Sequence, residues 1–192
     1  AHGYRTGGQG GLRGGIHLGS KGWKKRAKGI CLLILDVDGV LTDGRIAYDG
    51  AGREIKFFHV RDGQGIRLLQ SAGVEVGILS GRESLAVRTR AKELGITLLR
   101  QGVRDKAQAL EEIMHRKNYK PDQICFVGDD LVDLPVFARV GLAVAAADSV
   151  EEVKASAHYV TDHPGGKGAV REVCDLILKA QGKWEAVTQK YL

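Results

Sequence analysis

The fold is decided by residues 30–39, which read Ile-Cys-Leu-Leu-Ile-Leu-Asp-Val-Asp-Gly. Six consecutive apolar residues closed by carboxylates and a glycine are typical of a strand buried on both faces of a parallel sheet. In open sheets of this kind, ligands bind beyond the carboxyl ends of the strands. Asp36 and Asp38 therefore stand where a functional group is expected.

The same apolar pattern recurs downstream of this strand. The predicted strands are Ile30–Leu35, Val74–Leu79, Ile96–Leu99, Ile124–Val127 and Leu142–Val144. The predicted helices are Gly63–Ser71, Glu83–Leu94, Lys106–Lys117, Leu131–Ala138 and about Gly168–Gln181. This alternation predicts an α/β fold, a Rossmann-like doubly wound parallel sheet with helices on both faces.

Residues 45–59 interrupt the alternation. Two short stretches of high β-propensity flank Asp-Gly-Ala-Gly at 49–52, which predicts a β-hairpin inserted after the first strand. The insertion is too short to be a domain. Its alternating apolar residues would be exposed on a single chain, which indicates an interface. They are Ile46, Tyr48, Ile55 and Phe57.

The net charge of +6 comes from the first 29 residues. They hold seven Lys or Arg, ten glycines and no acidic residue, whereas the remaining 163 residues carry 22 basic and 23 acidic side chains. We expect 1–29 to be a flexible leader and 30–192 to be the one folded domain. A translated upstream region and a nucleic-acid-binding arm both fit the leader. Because the charges of residues 30–192 nearly balance, we expect no nucleic-acid partner for the folded domain.

Hydropathy and the placement of the cysteines indicate the cellular compartment in which the protein is expected to act. No stretch approaches the roughly 20 apolar residues that span a bilayer, so no membrane partner is expected. Cys31, Cys125 and Cys174 are widely spaced and lack nearby ligand partners, which argues against a disulfide framework or a zinc site. Core thiols in a reducing cytoplasm are the favoured interpretation.

Polar residues at the predicted strand ends suit phosphoryl transfer. Asp36 can attack phosphorus, and Asp38 can protonate the leaving alcohol and later deprotonate water. Ser80 and Lys106 can hold phosphate oxygens. Asp129, in the Gly-Asp-Asp run at 128–130, can bind Mg²⁺ with the other carboxylates, because Mg²⁺ prefers oxygen ligands.

Each of these signals is weak when taken singly. The two carboxylate runs are also typical of turns or caps, Ser80 could be a helix N-cap, and Lys106 could be a solvated surface lysine. All four occur in the right order, each at the end of a predicted strand or the start of a predicted helix. The combination favours a phosphatase site.

These residues resemble the four motifs of haloacid dehalogenase-like phosphatases. The motifs are Asp36-x-Asp38-Gly39, Ser80, Lys106 and Gly128-Asp129-Asp130-x-x-Asp133. Longer strings at 36–44, 60–66, 94–97 and 165–176 are similar to the family within that superfamily that hydrolyses 3-deoxy-D-manno-octulosonate 8-phosphate. The resemblance covers about residues 30–185.

The resemblance implies a magnesium-dependent enzyme of lipopolysaccharide precursor synthesis that has no cap domain. It implies an aspartyl phosphate on Asp36, with metal held by Asp36, Asp129 and the backbone carbonyl of Asp38. It implies that a sugar-acid phosphate contacts Asp38, His59, Val60, Arg61, Asp62, Gly63, Arg67, Arg82, Arg90 and Lys106. Position 59 departs from the family, where Asn is frequent. The arginines suit the phosphate and carboxylate ends of such a substrate.

The resemblance also implies a homotetramer. In related enzymes the hairpins pair into a central barrel, and a neighbour's C-terminal segment helps to cover the site. The turn at 165–168 contains three glycines, which would let this segment reach across. Two alternatives stay open: a phosphatase for another sugar-acid phosphate, such as a nine-carbon ulosonate, and a non-catalytic tetramerising module.

Overall fold

The computed structural model describes residues 22–191. In chain order its strands are β1 (Leu32–Leu35), β2 (Ala47–Tyr48), β3 (Glu54–Ile55), β4 (Glu75–Leu79), β5 (Leu98–Arg100), β6 (Ile124–Gly128), β7 (Leu142–Ala145) and β8 (Tyr159–Val160). Six of them form a parallel sheet in the order β5-β4-β1-β6-β7-β8, whereas β2 and β3 pair antiparallel.

Helices cover both faces of the sheet. They are α1 (Trp23–Ala27), α2 (Val60–Ser71), α3 (Leu85–Glu93), α4 (Lys106–Lys117), α5 (Leu134–Phe137), α6 (Glu151–Ser156), α7 (Ala169–Ala180) and α8 (Trp184–Thr188). Short 3₁₀ turns occupy Pro121–Gln123, Leu131–Asp133 and Gln189–Tyr191. The predicted α/β class and doubly wound parallel sheet are confirmed.

The central strand β1 shows why the run at 30–35 is continuously apolar. Leu33 and Leu35 belong to the core on one face of the sheet, and Leu32 and Ile34 belong to the core on the other. All four side chains are fully buried. Because neither face meets water, no polar alternation is needed.

The topology sets the position of the functional groups. From β1 the chain moves to β4 and β5 on one side, then crosses to β6 on the other side of β1. Such a reversal opens a crevice at the carboxyl ends of the strands. Asp36, Ser80 and Asp129 follow β1, β4 and β6 at this crevice.

Several element bounds differ from the predicted ones. Helix α2 begins at Val60 rather than at Gly63, and the predicted helix Leu131–Ala138 is a 3₁₀ turn followed by the single turn of α5. The short elements α6, α8 and β8 were not predicted, because each buries too few apolar residues to leave a periodic signal.

The first described residues depart from the expected leader. Residues 23–27 form α1, with Ala27 fully buried and the Trp23 ring 5.2 Å from that of Tyr159. The side chain of Gln181 donates to the carbonyl oxygens of Ala27 and Ile30. Because Trp23 and Ala27 lie one helical turn apart, they share the face that packs on the domain. The folded body therefore includes residues 22–29, and the rest of the leader lies outside the described residues.

Nothing in residues 22–191 stands over the sheet as a cap domain, since the insertion between β1 and α2 is the two-stranded hairpin. Over the same residues, every helix is too short or too polar to cross a membrane.

Candidate active site

A cavity of about 330 Å³ opens at the carboxyl end of the sheet. It brings together every residue predicted to act in catalysis or to hold metal, namely Asp36, Asp38, Ser80, Lys106 and Asp129. Of the predicted substrate residues other than these, Arg82 also lines it. Arg104 and Val132 line it as well, and sequence reasoning did not single them out.

Lys106 is held between two carboxylates. Its Nζ lies 3.0 Å from Oδ2 of Asp36 and donates to Oδ1 of Asp133 at 2.7 Å. Only 5% of the residue is exposed, so the alternative of a solvated surface lysine is wrong. Burial lowers the pKa of Lys106, but the two carboxylates more than offset this and raise it above the ordinary value. The ammonium is therefore charged and aimed at Asp36.

Asp133 organises this end of the sheet. While one oxygen accepts from Lys106, the other accepts from the backbone N–H groups of Asp129 at 2.9 Å and Asp130 at 3.3 Å. Both oxygens are thus engaged. The Gly-Asp-Asp run at 128–130 is therefore a turn whose backbone holds Asp133 in place. Asp133 in turn fixes Lys106, and the turn presents Asp129 to the cavity.

Within residues 22–191, the carboxylate of Asp129 is incompletely hydrogen-bonded. Its Oδ1 is buried and has no hydrogen-bond partner among the described residues. Gly39 makes room for this carboxylate, because a Cβ at position 39 would overlap its oxygens. Burial, reinforced by Asp36 and Asp133, raises the pKa of Asp129 to about 8. Burial likewise raises the pKa of Asp36 to about 6, although Lys106 opposes the shift.

These carboxylates fit a divalent cation. Oxygens of Asp36, Asp129 and Asp133 all lie within 4.8 Å of one another. Because Asp133 already accepts hydrogen bonds on both oxygens, Asp36 and the unpartnered Asp129 are the available ligands. An all-oxygen donor set selects a hard cation such as Mg²⁺.

Ser80 lies at the end of β4, where the residue is 2% exposed. Its backbone N–H donates to the carbonyl oxygen of Arg100 at 2.9 Å, and its Oγ accepts from the backbone N–H of Arg82 at 3.4 Å. Helix α3 begins at Leu85 with Ser84 as its N-cap residue, so the alternative that Ser80 caps this helix is wrong.

The hairpin contributes two residues that sequence reasoning missed. Lys56 forms an ion pair with Asp38, and its Nζ lies 3.2 Å from Oε1 of Glu54. Arg82 donates to the same Oε1 at 2.8 Å and places its Nε 3.6 Å from Oδ2 of Asp38. The missed signal was the alternation in 54–57, where the charged residues Glu54 and Lys56 alternate with the apolar residues Ile55 and Phe57.

The other predicted substrate residues are dispersed within one chain. Arg90 lies 6.0 Å from the Phe58 ring in a neighbouring cavity of about 680 Å³, and a side chain on Gly63 would overlap its guanidinium. His59 and Arg61 line a third cavity of about 360 Å³ beside α7.

Three further predicted substrate residues either bind other parts of the chain or are exposed to solvent. Asp62 is buried, and its Oδ1 accepts from the backbone N–H of Arg171 at 2.8 Å, capping the first turn of α7. Arg67 donates to the carbonyl oxygen of Glu93 at the end of α3. Val60 is 80% exposed. For these residues, contact with substrate stays a prediction.

A Rossmann-like sheet with this carboxylate and lysine set defines the haloacid dehalogenase-like class. The model of one family, described as haloacid dehalogenase-like hydrolase, matches residues 99–173. The chain is 51% identical to 3-deoxy-D-manno-octulosonate 8-phosphate phosphatase KdsC of Yersinia pestis over 164 residues, covering 85% of this chain and 88% of that protein. The chain belongs to the 3-deoxy-D-manno-octulosonate 8-phosphate phosphatase family.

Solved structures agree with this assignment. The crystal structure of the Yersinia pestis phosphatase superposes with a TM-score of 0.83 over 84% of this chain and 88% of that one. The enzyme from Moraxella catarrhalis, solved with magnesium ion, phosphate ion and KDO, is 40% identical and superposes with a TM-score of 0.86 over 88% of this chain and 97% of that one.

Proposed function

We propose that this protein hydrolyses 3-deoxy-D-manno-octulosonate 8-phosphate to the free sugar acid and phosphate. The reaction uses Mg²⁺, passes through an aspartyl phosphate and serves lipopolysaccharide precursor synthesis in the cytoplasm. The observation that carries the proposal is the buried Lys106 at 3.0 Å from Asp36, beside the unpartnered carboxylate oxygen of Asp129. The relatives named above supply the substrate, and the three free cysteines suit a reducing compartment.

The first step forms a bond between a carboxylate oxygen of Asp36 and phosphorus. Lys106 and the Ser80 hydroxyl bind phosphate oxygens where negative charge must be stabilised. Lys106 also favours the ionised form of Asp36, since its charge opposes in part the rise that burial causes in the pKa of that carboxyl. A nucleophile fixed against its target avoids much of the entropic cost of a bimolecular reaction.

Asp38 acts on the other side of the phosphorus. As the ester bond breaks, it donates a proton to the sugar oxygen; it then takes a proton from the water that attacks the aspartyl phosphate. This second attack releases phosphate and restores the carboxylate of Asp36. Arg82 beside Asp38 is placed to pair with an anionic group of the substrate.

Asp36, Asp129 and the backbone carbonyl of Asp38 would hold the metal. Bound Mg²⁺ supplies positive charge that offsets the carboxylates and the phosphate. The partner-free Oδ1 of Asp129 supports this assignment, because a buried carboxylate oxygen without a donor is costly unless a cation satisfies it.

The substrate is tested by a panel of phosphate esters with Mg²⁺ present. We expect kcat/KM for the octulosonate 8-phosphate to exceed that for a nine-carbon ulosonate 9-phosphate by about tenfold or more, as expected for one mismatched group in a polar site. A preference for the nine-carbon ester would favour the alternative phosphatase. Failure to release phosphate from any ester, including a simple aryl phosphate, would favour the non-catalytic module.

The proposal includes a homotetramer whose hairpins form the central interface. Ile46, Tyr48, Ile55 and Phe57 are 52%, 60%, 42% and 69% exposed in the single chain, an apolar patch that a partner would cover. A neighbouring chain, including its C-terminal segment, would complete the site. This agrees with the dispersal of His59, Arg61 and Arg90 over cavities apart from the catalytic one.

Light scattering tests the assembly. We expect a mass of about four times the 20.7 kDa of one chain for the wild type. Phe57→Glu should lower that mass, because a buried unpaired charge disrupts an apolar interface. Ala155→Glu is the matched control, since Ala155 is exposed on α6, outside the hairpin and outside the cavities that contain His59, Arg61 and Arg90. A monomeric mass for the wild type at working concentration would contradict the proposal.

A further inference from the structure

A cluster of four charges ties the hairpin to Asp38. Lys56 forms an ion pair with Oδ1 of Asp38, while Oδ2 of Asp38 lies 3.6 Å from Nε of Arg82. Glu54 joins the two cations, with its Oε1 at 3.2 Å from Lys56 and 2.8 Å from Arg82. Each oxygen of Asp38 therefore faces one cation, and both cations are braced by the same carboxylate.

Lys56 is buried, unlike a typical surface lysine. Its side chain is 2% exposed, whereas its neighbours Ile55 and Phe57 are among the exposed apolar residues of the hairpin. Lys56 directly follows β3, and the alternation of exposure along 54–57 turns its side chain inward and its neighbours outward. A long flexible side chain ordered in this way restricts the carboxylate that it contacts, and leaving a partner unpaired is costly.

We propose that Lys56 is a positioning residue for the proposed reaction. It holds Oδ1 of Asp38, so that Oδ2, once Arg82 pairs with the anionic substrate, carries the proton to the sugar oxygen as the ester bond breaks. The inference rests on the proposed role of Asp38. The hairpin then has a role in turnover on its inner face, in addition to the interface proposed for its outer face.

A dependence on the leaving group follows from this role. A sugar alkoxide is a poor leaving group and requires protonation, whereas the p-nitrophenolate ion leaves readily without it. Because kcat/KM reports the steps up to the first irreversible one, it isolates transfer of the phosphoryl group to Asp36. Loss of Asp38 positioning should lower kcat/KM for the sugar ester far more than for the aryl ester.

The test compares Lys56→Met with wild type on both esters in the presence of Mg²⁺. We expect kcat/KM to fall by about tenfold or more on the octulosonate 8-phosphate, and by less than about threefold on p-nitrophenyl phosphate. Lys56→Arg, which keeps a long cation, should recover part of the loss on the sugar ester. The control is Arg53→Met, since Arg53 pairs with Asp49 at 2.7 Å at the exposed end of the same hairpin.

Equal losses on the two esters would overturn the inference, because they would indicate that Lys56 binds the phosphate or supports the fold. Unchanged kcat/KM on the sugar ester would overturn it too. If Lys56→Met does not fold, the same ratio is measured on Lys56→Gln. Wild-type turnover, recorded in the same assay, separates failure of this inference from failure of the proposed function.

Discussion

The Asp36→Asn variant should lose phosphatase activity by on the order of 10³-fold or more while keeping its fold. Asn has nearly the shape of Asp but no anionic oxygen to attack phosphorus. The change also removes a charge that Lys106 contacts at 3.0 Å, yet Lys106 keeps its hydrogen bond to Asp133. The measurement is kcat/KM on the octulosonate 8-phosphate, together with circular dichroism and a melting temperature.

The matched control for this variant is Asp122→Asn. Asp122 is exposed in the 3₁₀ turn before β6, at the amino end of that strand and away from the catalytic cavity. It should keep wild-type kcat/KM. Near-normal turnover by Asp36→Asn would contradict the assignment of the nucleophile.

The Asp129→Asn variant should move activity and stability in opposite directions. Removing a metal ligand is expected to lower kcat/KM by on the order of 10²-fold or more. Without Mg²⁺, however, the variant should melt at a higher temperature than wild type at alkaline pH. The reason is that a neutral amide at this position avoids the cost of burying a charge, and also the repulsion that Asp129 suffers from Asp36 and Asp133.

The pH dependence of this stability gain has a definite sign. The pKa of Asp129 rises from 3.8 to about 8 on folding, so the folded state binds a proton more tightly than the unfolded state does. The penalty for its charge is full above about pH 8 and shrinks steadily as pH falls from there towards 3.8, where the unfolded carboxyl also takes up its proton. In EDTA, the gain in melting temperature should therefore be largest near pH 9 and shrink towards pH 6.

Added Mg²⁺ should reverse the order of the two melting temperatures, because it binds the wild-type carboxylate. A wild-type protein more stable than Asp129→Asn in EDTA at pH 9 would contradict the description of the site.

The sheet and the clustering of the proposed catalytic residues in one cavity could be predicted from sequence because their signals are local. Six consecutive apolar residues at 30–35 indicate the buried strand. Asp36 and Ser80 directly follow strands, and Lys106 begins a helix. Parallel topology then brings such ends to one edge of the sheet. The helix Lys106–Lys117 was predicted at its observed bounds.

The contacts of the hairpin could not be predicted in the same way. Lys56 reaches Asp38 across 18 residues of sequence, and no periodic signal encodes that approach. Asp62 shows the opposite case. It belongs to a string that resembles substrate-binding sequences, yet its side chain caps α7, a helix that begins more than 100 residues later. The short helix α1 was not predicted either, because the segment that contains it is basic and rich in glycine.

The most direct test of the proposed mechanism is to trap the phosphorylated enzyme. Wild-type protein is mixed with ³²P-labelled octulosonate 8-phosphate and Mg²⁺, quenched in acid within one turnover, digested and sequenced. We expect acid-stable, hydroxylamine-sensitive label on the peptide that contains Asp36, and none in Asp36→Asn. Release of phosphate at the wild-type rate with no label at Asp36, or label that persists in Asp36→Asn, would contradict the mechanism.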